Sequence, residues 1–191
     1  MDRYELKSAR FLAREALDRA IHPGDTVIDA TMGNGHDTQF LCEKVGPSGR
    51  VFAFDIQEQA VRSTEARLLE AGLSGRAVLI HDSHELMARY VSCLVSAVVF
   101  NLGWLPGGNH RITTRSESTM AAVSAALDLL RPGGVLVLCV YPGHSEGEQE
   151  RKEIIRFFSS LSNREYNVLR QQFLNASAGA PECLIAQRLF Q

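Results

Sequence analysis

The segment VVFNLGWLPGG, residues 98–108, joins two β-branched residues and a phenylalanine to an asparagine, and then to a loop holding three glycines, a tryptophan and a proline. The first residues have the composition of a buried strand. The remainder cannot extend it, because proline lacks a ladder donor and glycine weakens a strand. The chain therefore leaves the sheet at Asn101 and carries a polar side chain to the strand's carboxyl end. In an open α/β sheet that edge is where ligands bind.

On either side of this segment, short β-rich runs alternate with stretches of helical periodicity. Strands are expected over residues 26–30, 50–55, 76–81, 96–101 and 134–141, with weaker ones over 167–175 and 183–188. Helices are expected over 4–20, 37–45, 58–71, 83–90, 116–130 and 145–161. Strands that are apolar throughout and separated by helices imply a parallel sheet covered on both faces. The last two strands are joined only by a short segment containing SAGAPE, so they read as a hairpin that adds one antiparallel strand. The expected fold is α/β: a doubly wound, mostly parallel, Rossmann-like seven-stranded sheet forming a single domain over residues 1–191.

Composition narrows the function classes. The chain has 191 residues, 45% of them hydrophobic, enough for a substantial core. A formal net charge of -2 gives no global basic signal, so any nucleic-acid contact must come from a local patch. Cys42, Cys93, Cys139 and Cys183 show neither CxxC pairing nor metal-ligand spacing, and are expected to be reduced core thiols of a cytoplasmic protein. The N-terminal stretch MDRYELKSARFLAREAL has charges throughout, unlike a signal peptide or a membrane span.

Every unusual segment falls at the carboxyl end of an expected strand. After the first comes Asp29-Ala30-Thr31-Met32-Gly33-Asn34-Gly35-His36-Asp37-Thr38, whose glycines allow a tight turn ahead of a helix N-terminus. After the second, Asp55 and Gln57 follow, placed for the hydroxyls of an adenosine ribose. A glycine loop with a downstream acid is shared by NAD, FAD and S-adenosylmethionine sites, and an ordinary tight turn also produces it. Two details favour S-adenosylmethionine. Thr38 stands where a dinucleotide site has its third glycine, and Asp29 and Thr31 supply acceptors suited to an ammonium group. At the third strand's end, Asp82 can accept the adenine amine while the Ser83 N–H donates to the ring, or either residue can cap the helix that follows with His84.

Asn101 then sits mid-crevice, where its amide oxygen and the carbonyl of Leu102 can accept from a substrate amine and aim the nitrogen lone pair. Trp104 offers a flat face for a nucleobase, or plugs the edge of the core, and Gly103, Pro106, Gly107 and Gly108 shape the loop around it.

The combination of DATMGNGHDT, FAFDIQ, FNLGWLPGGNH and VYPGHSEGEQE resembles, over nearly the whole chain, the bacterial family long labelled "putative rRNA methylase", whose members are assigned as methyltransferases of 5-aminomethyluridine at the tRNA wobble position. The resemblance implies a class I methyltransferase fold. It also implies methylation of 5-aminomethyluridine, often 2-thiolated, to the 5-methylaminomethyl form, with the tRNA anticodon stem-loop as partner. Two departures from the family, Trp104 for tyrosine and Asn109 for aspartate, bear on how the base is held. Tyr141 and His144 end the fifth strand, and the resemblance makes this the tRNA-facing wall. His110 and His144 are candidates to hold the base or take the amine proton, or are structural histidines. Arg111 and Arg115 either meet anticodon phosphates or are ordinary solvated arginines. Lys152 and Arg156 are weaker candidates for the same contacts.

The cofactor-contacting set is thus Asp29, Thr31, Gly33, Asn34, Gly35, Asp37, Thr38, Asp55, Gln57, Asp82, Ser83, His84 and Asn101. A nicotinamide oxidoreductase and a non-catalytic nucleotide- or RNA-binding module remain alternatives from other classes. Within methyltransferases the alternative acceptor is rRNA or a small amine. Monomer and homodimer are both open.

Overall fold

The computed structural model describes residues 8–105, 107, 113–143, 145–177 and 179–190, with the backbone alone at 145 and 146. Seven strands form one sheet: β1 (Thr26–Asp29), β2 (Arg50–Asp55), β3 (Ala77–His81), β4 (Val95–Asn101), β5 (Leu130–Val140), β6 (Tyr166–Gln171) and β7 (Glu182–Arg188). Their spatial order is β3-β2-β1-β4-β5-β7-β6. The first five are mutually parallel, and β7 runs antiparallel to both β5 and β6. The expected hairpin thus inserts β7, not β6, beside β5.

Among the described residues, six helices cover the sheet: α1 (Ala9–Ala20), α2 (His36–Val45), α3 (Glu58–Glu70), α4 (Met87–Tyr90), α5 (Ser116–Leu129) and α6 (Ser145–Ser160). Strand residues alternate between the two faces, as the period of two requires. Ile28, Val98, Phe100, Leu136 and Leu138 pack under Met87 of α4, Ala122 and Ala126 of α5, and Ile154 and Phe158 of α6. Val27, Val51, Val99 and Val137 pack under Ala13 and Leu17 of α1, Leu41 of α2 and Leu68 of α3. Central strand β4 is buried on both faces along its whole length until Asn101.

Some expectations are corrected. Helix α1 starts at Ala9, because Ser8 is its N-cap and accepts from the Phe11 N–H; residues 4–7 of the expected helix lie outside the described residues. The helix expected over 83–90 is a 3-10 turn (His84–Leu86) running into the short α4. β5 begins before its Pro-Gly-Gly, with the pairing register broken between Val95 and Ala97. Cys42, Cys139 and Cys183 are buried free thiols, but Cys93 is exposed, on the segment between α4 and β4. Among the described residues no helix is long and apolar enough to cross a membrane.

Leu138 is fully buried opposite Phe100, whereas Val168 on edge strand β6 is 41% exposed. Leu138→Ala should therefore cost about 2–5 kcal/mol and Val168→Ala at most about 0.5 kcal/mol in denaturant unfolding. Equal losses would contradict this placement of the core.

Candidate active site

The strand order reverses between β1 and β4, and the chain segments after β1 to β5 all open into one cavity of about 600 Å3 at that edge. The cavity is bordered by Thr31, Asn34 and Asp37 after β1, Asp55 and Gln57 at β2, and Asp82, Ser83 and His84 after β3. Asn101, Leu102 and Trp104 line it from β4, Arg115 from the start of α5, and Tyr141 from the end of β5.

Its centre is organised by Asp37, a carboxylate in the first turn of α2, where the helix dipole favours negative charge. Asp37 is nearly buried. It accepts from Arg10 Nη2 at 2.9 Å and from Asn101 Nδ2 at 2.8 Å, with Arg14 Nε 3.5 Å away. A carboxylate only accepts, so the Asn101 amide must present nitrogen to Asp37 and turn Oδ1 the other way. That Oδ1 is buried and has no partner among the described residues. The Asn101 N–H donates to Thr31 Oγ1 at 2.7 Å, and the Leu102 N–H to the Cys139 carbonyl at 2.9 Å, which fixes the strand end.

Asp29 does not border the cavity. It is fully buried, and its oxygens accept from the Thr31 N–H at 3.2 Å and Thr38 Oγ1 at 2.7 Å. Of the two acceptors expected for an ammonium group, Thr31 borders the cavity, whereas Asp29 braces the loop from behind together with Thr38. Burial, then the nearby Asp37, push the Asp29 carboxyl up to about 7. Gly33, Gly35 and Gly107 also lie off the cavity wall. Gly35 serves helix packing: its φ is +77°, and a Cβ there would sit 2.8 Å from Thr64 Oγ1 on α3. Asp55 accepts from the Gly33 N–H at 3.1 Å and the Gln57 N–H at 2.9 Å. Burial raises its pKa, while those donors hold it down.

Asp82 accepts from Tyr90 Oη at 2.6 Å and from the Ser83 N–H at 2.8 Å. The Ser83 N–H expected to face an adenine ring is thus already committed. The tyrosine hydrogen bond, above all, lowers the pKa of Asp82. His84 Nδ1 lies 3.1 Å from the Ala30 carbonyl, which can only accept, so the proton sits on Nδ1 and the lone pair on Nε2. Nε2 is buried without a partner among the described residues.

Trp104 is 40% exposed at the cavity mouth, which excludes the core-plug reading. Its loop is anchored by Thr114, whose N–H donates to the Gly103 carbonyl and whose Oγ1 accepts from the Gly103 N–H and donates to buried Glu150 on α6 at 3.1 Å. Tyr141 is pushed up to about 12, chiefly by burial. Pro106, His110, Arg111 and His144 lie outside the described residues. Lys152 and Arg156 sit on α6 away from the cavity wall.

Sequence reasoning missed Arg10, Thr113, Thr114 and Ser118, all of which line the cavity. Arg10 had a readable signal, since it falls on the polar side of a helix whose apolar side is regular. Its pairing with Asp37 had none.

A doubly wound sheet of this order, with its cavity after β1, β2 and β4, defines a class I methyltransferase fold. The chain belongs to the family whose model is described as "Putative rRNA methylase", matched over residues 51–187. It is 39% identical over 179 residues to an Arabidopsis thaliana protein named tRNA (mnm(5)s(2)U34)-methyltransferase, chloroplastic, covering 88% of this chain and 65% of that protein. A crystal structure of a "putative rRNA-methylase" from Clostridium thermocellum superposes with a TM-score of 0.95 at 38% identity, covering 97% of this chain and all of that one. A Streptococcus mutans methyltransferase structure in complex with SAH superposes at 0.88 and 32% identity, covering 97% of this chain and 100% of its own.

The raised Asp29 pKa has a definite sign. The folded state keeps a proton that the unfolded chain releases near 3.8, so this group's contribution to stability is lost as pH rises from about 4 to about 7. Asp29→Asn should remove that slope and narrow the stability difference between pH 5 and pH 8 in thermal unfolding. Parallel wild-type and variant profiles would refute it.

Proposed function

We propose that this chain is an S-adenosylmethionine-dependent N-methyltransferase acting on the aminomethyl group of wobble 5-aminomethyluridine in tRNA, 2-thiolated or not, through the anticodon stem-loop. The observation carrying this reading is Asn101 Oδ1, a buried acceptor facing a cavity and left without a partner among the described residues, its direction set by Asp37. An orphaned buried acceptor calls for a donor, and a ligand amine supplies one. The names carried by relatives support both the cofactor and the wobble base.

The residues present fit the cofactor. The cavity is within the usual 300–1,000 Å3 of small-molecule sites, an order-of-magnitude range of about that span, and Asp55 retains lone pairs for ribose hydroxyls beyond its two backbone donors. Asp82, at the end of β3, keeps lone pairs for an adenine amine. When bound, S-adenosylmethionine supplies a sulfonium methyl group whose displacement by a neutral amine forms an N–C bond, breaks C–S and leaves a neutral thioether. The chain's own contribution is position: Asn101 Oδ1 and the Leu102 carbonyl accept the two amine N–H groups and leave the lone pair directed at the methyl. Trp104 at the mouth stacks on the base, and Tyr141 lines the same cavity.

Incubating the purified protein with S-adenosylmethionine and tRNA bearing 5-aminomethyluridine, followed by nucleoside mass spectrometry, tests the reading. Conversion to 5-methylaminomethyluridine is expected. An rRNA acceptor is the second reading, favoured by the family's description, and methylation of rRNA alone in the same assay would establish it instead.

Asp55→Ala should weaken S-adenosylmethionine binding by about 1.5–3 kcal/mol, the worth of hydrogen bonds to a charged group; unchanged affinity in calorimetry would remove Asp55 from the site. Asn101→Ala should leave that affinity within about threefold yet slow single-turnover transfer roughly a hundredfold, because small misplacements of reacting atoms are that costly. A normal single-turnover rate would overturn the role given to Asn101.

A further inference from the structure

RNA that offers one base to a cavity also needs its phosphates held beside it. On the side of the mouth built by α1, α2 and α3, three guanidinium groups converge on residues 34–37. Arg10 binds Asp37, and Arg14, one turn further along α1, donates to the His36 carbonyl at 3.1 Å. Arg67 of α3 donates to the Asn34 carbonyl at 2.7 Å and lies 3.3 Å from His36 Nε2.

Carbonyl oxygens satisfy N–H groups but cancel no charge. Asp37 is the sole carboxylate among the described residues paired with any of the three, and Arg67 has no ion pair there. Among the described residues, three cations thus face one anion, beside the positive end of α2. The same charges bear on His36, whose pKa is lowered by partial desolvation and then by Arg67, with Arg10 and Arg14 adding to it against Asp37. Arg67 can only donate, so Nε2 of His36 accepts and its proton sits on Nδ1. His36 is exposed and borders the cavity together with Asn34.

We propose that Arg14, Arg67 and His36 form a phosphodiester-binding rim that holds the RNA backbone next to the nucleotide entering the cavity. This rests on the tRNA reading above. An excess of guanidinium charge with a neutral imidazole donor is suited to a phosphate, which guanidinium binds through paired N–H groups. The other anion that could reach this rim is the carboxylate of the cofactor, and the two sources separate by titration.

The test measures binding of an anticodon stem-loop by fluorescence anisotropy across salt concentrations, with S-adenosylmethionine affinity by calorimetry and steady-state kinetics on tRNA. Arg14→Gln with Arg67→Gln should weaken RNA binding and raise KM for tRNA about tenfold or more, and flatten the salt dependence by about one to two units. In Arg67→Gln alone, which leaves the Arg14–Asp37 pair intact, kcat and cofactor affinity should stay within about threefold, since phosphate contacts position without touching the chemistry. Arg67→Lys, which keeps the charge but loses the paired N–H groups, should keep the salt dependence and recover part of the RNA affinity. His36→Glu guards against a folding artefact: it preserves an acceptor for Arg67, adds negative charge and should also weaken RNA binding. Unchanged RNA affinity and salt slope in both the double variant and His36→Glu would overturn the rim, as would loss of cofactor affinity without loss of RNA affinity. Wild-type protein that binds RNA through these residues but methylates no tRNA would sink the wobble-uridine reading and leave the rim standing.

Discussion

The carboxylate of Asp37 ties together the three parts of the molecule that make the site. It sits in the first turn of α2, receives Arg10 from α1, and receives the amide nitrogen of Asn101 from the end of β4. Without a pure acceptor at that point, the Asn101 amide could face either way, and the cavity would offer an N–H as readily as an oxygen. A buried carboxylate needs paired donors to be tolerated at all. The arginine and the asparagine meet that need, and their own orientations are set in return.

The sheet makes this arrangement possible. Parallel strands place all their carboxyl ends at one edge, and register aligns Asp29 with Val99 and Asn101 with Cys139. The loop after β1 can then run close above the strand ends, braced from behind by Asp29 and Thr38 and pressed against α3 at Gly35. Helix packing and ligand geometry use the same short segment. A substitution there acts on stability and site together.

Much of this was legible in the sequence. Asp55, Asn101 and the strands that carry them follow from apolar runs ending in polar and turn residues, a local signal. Gly33 and Gly35 were legible as turn residues, but the contact of Gly35 with Thr64 joins positions far apart in the chain and leaves no periodic trace. The same limit hid the link between Arg10 and Asp37, which are 27 residues apart. Asp29 was misassigned for a related reason. Composition shows a carboxylate beside a glycine loop, but not whether its oxygens face a ligand or a threonine nine positions on. Ser83 has a shorter-range partner that composition does not reveal, since Asp82 accepts from its N–H. Cys93 looked like its three buried counterparts because neighbouring apolar residues do not reveal that a connecting segment lies at the surface.

In the proposed reaction, a buried carboxylate aims an amide oxygen at the substrate amine. Single-turnover methylation of tRNA carrying 5-aminomethyluridine by Asp37→Asn, at saturating S-adenosylmethionine, tests it most directly. An asparagine at position 37 can accept or donate, so the Asn101 amide loses its enforced direction. The transfer rate should fall by about tenfold or more, the scale set by lost positioning, with the cofactor still bound. A transfer rate equal to that of the wild-type protein would contradict it.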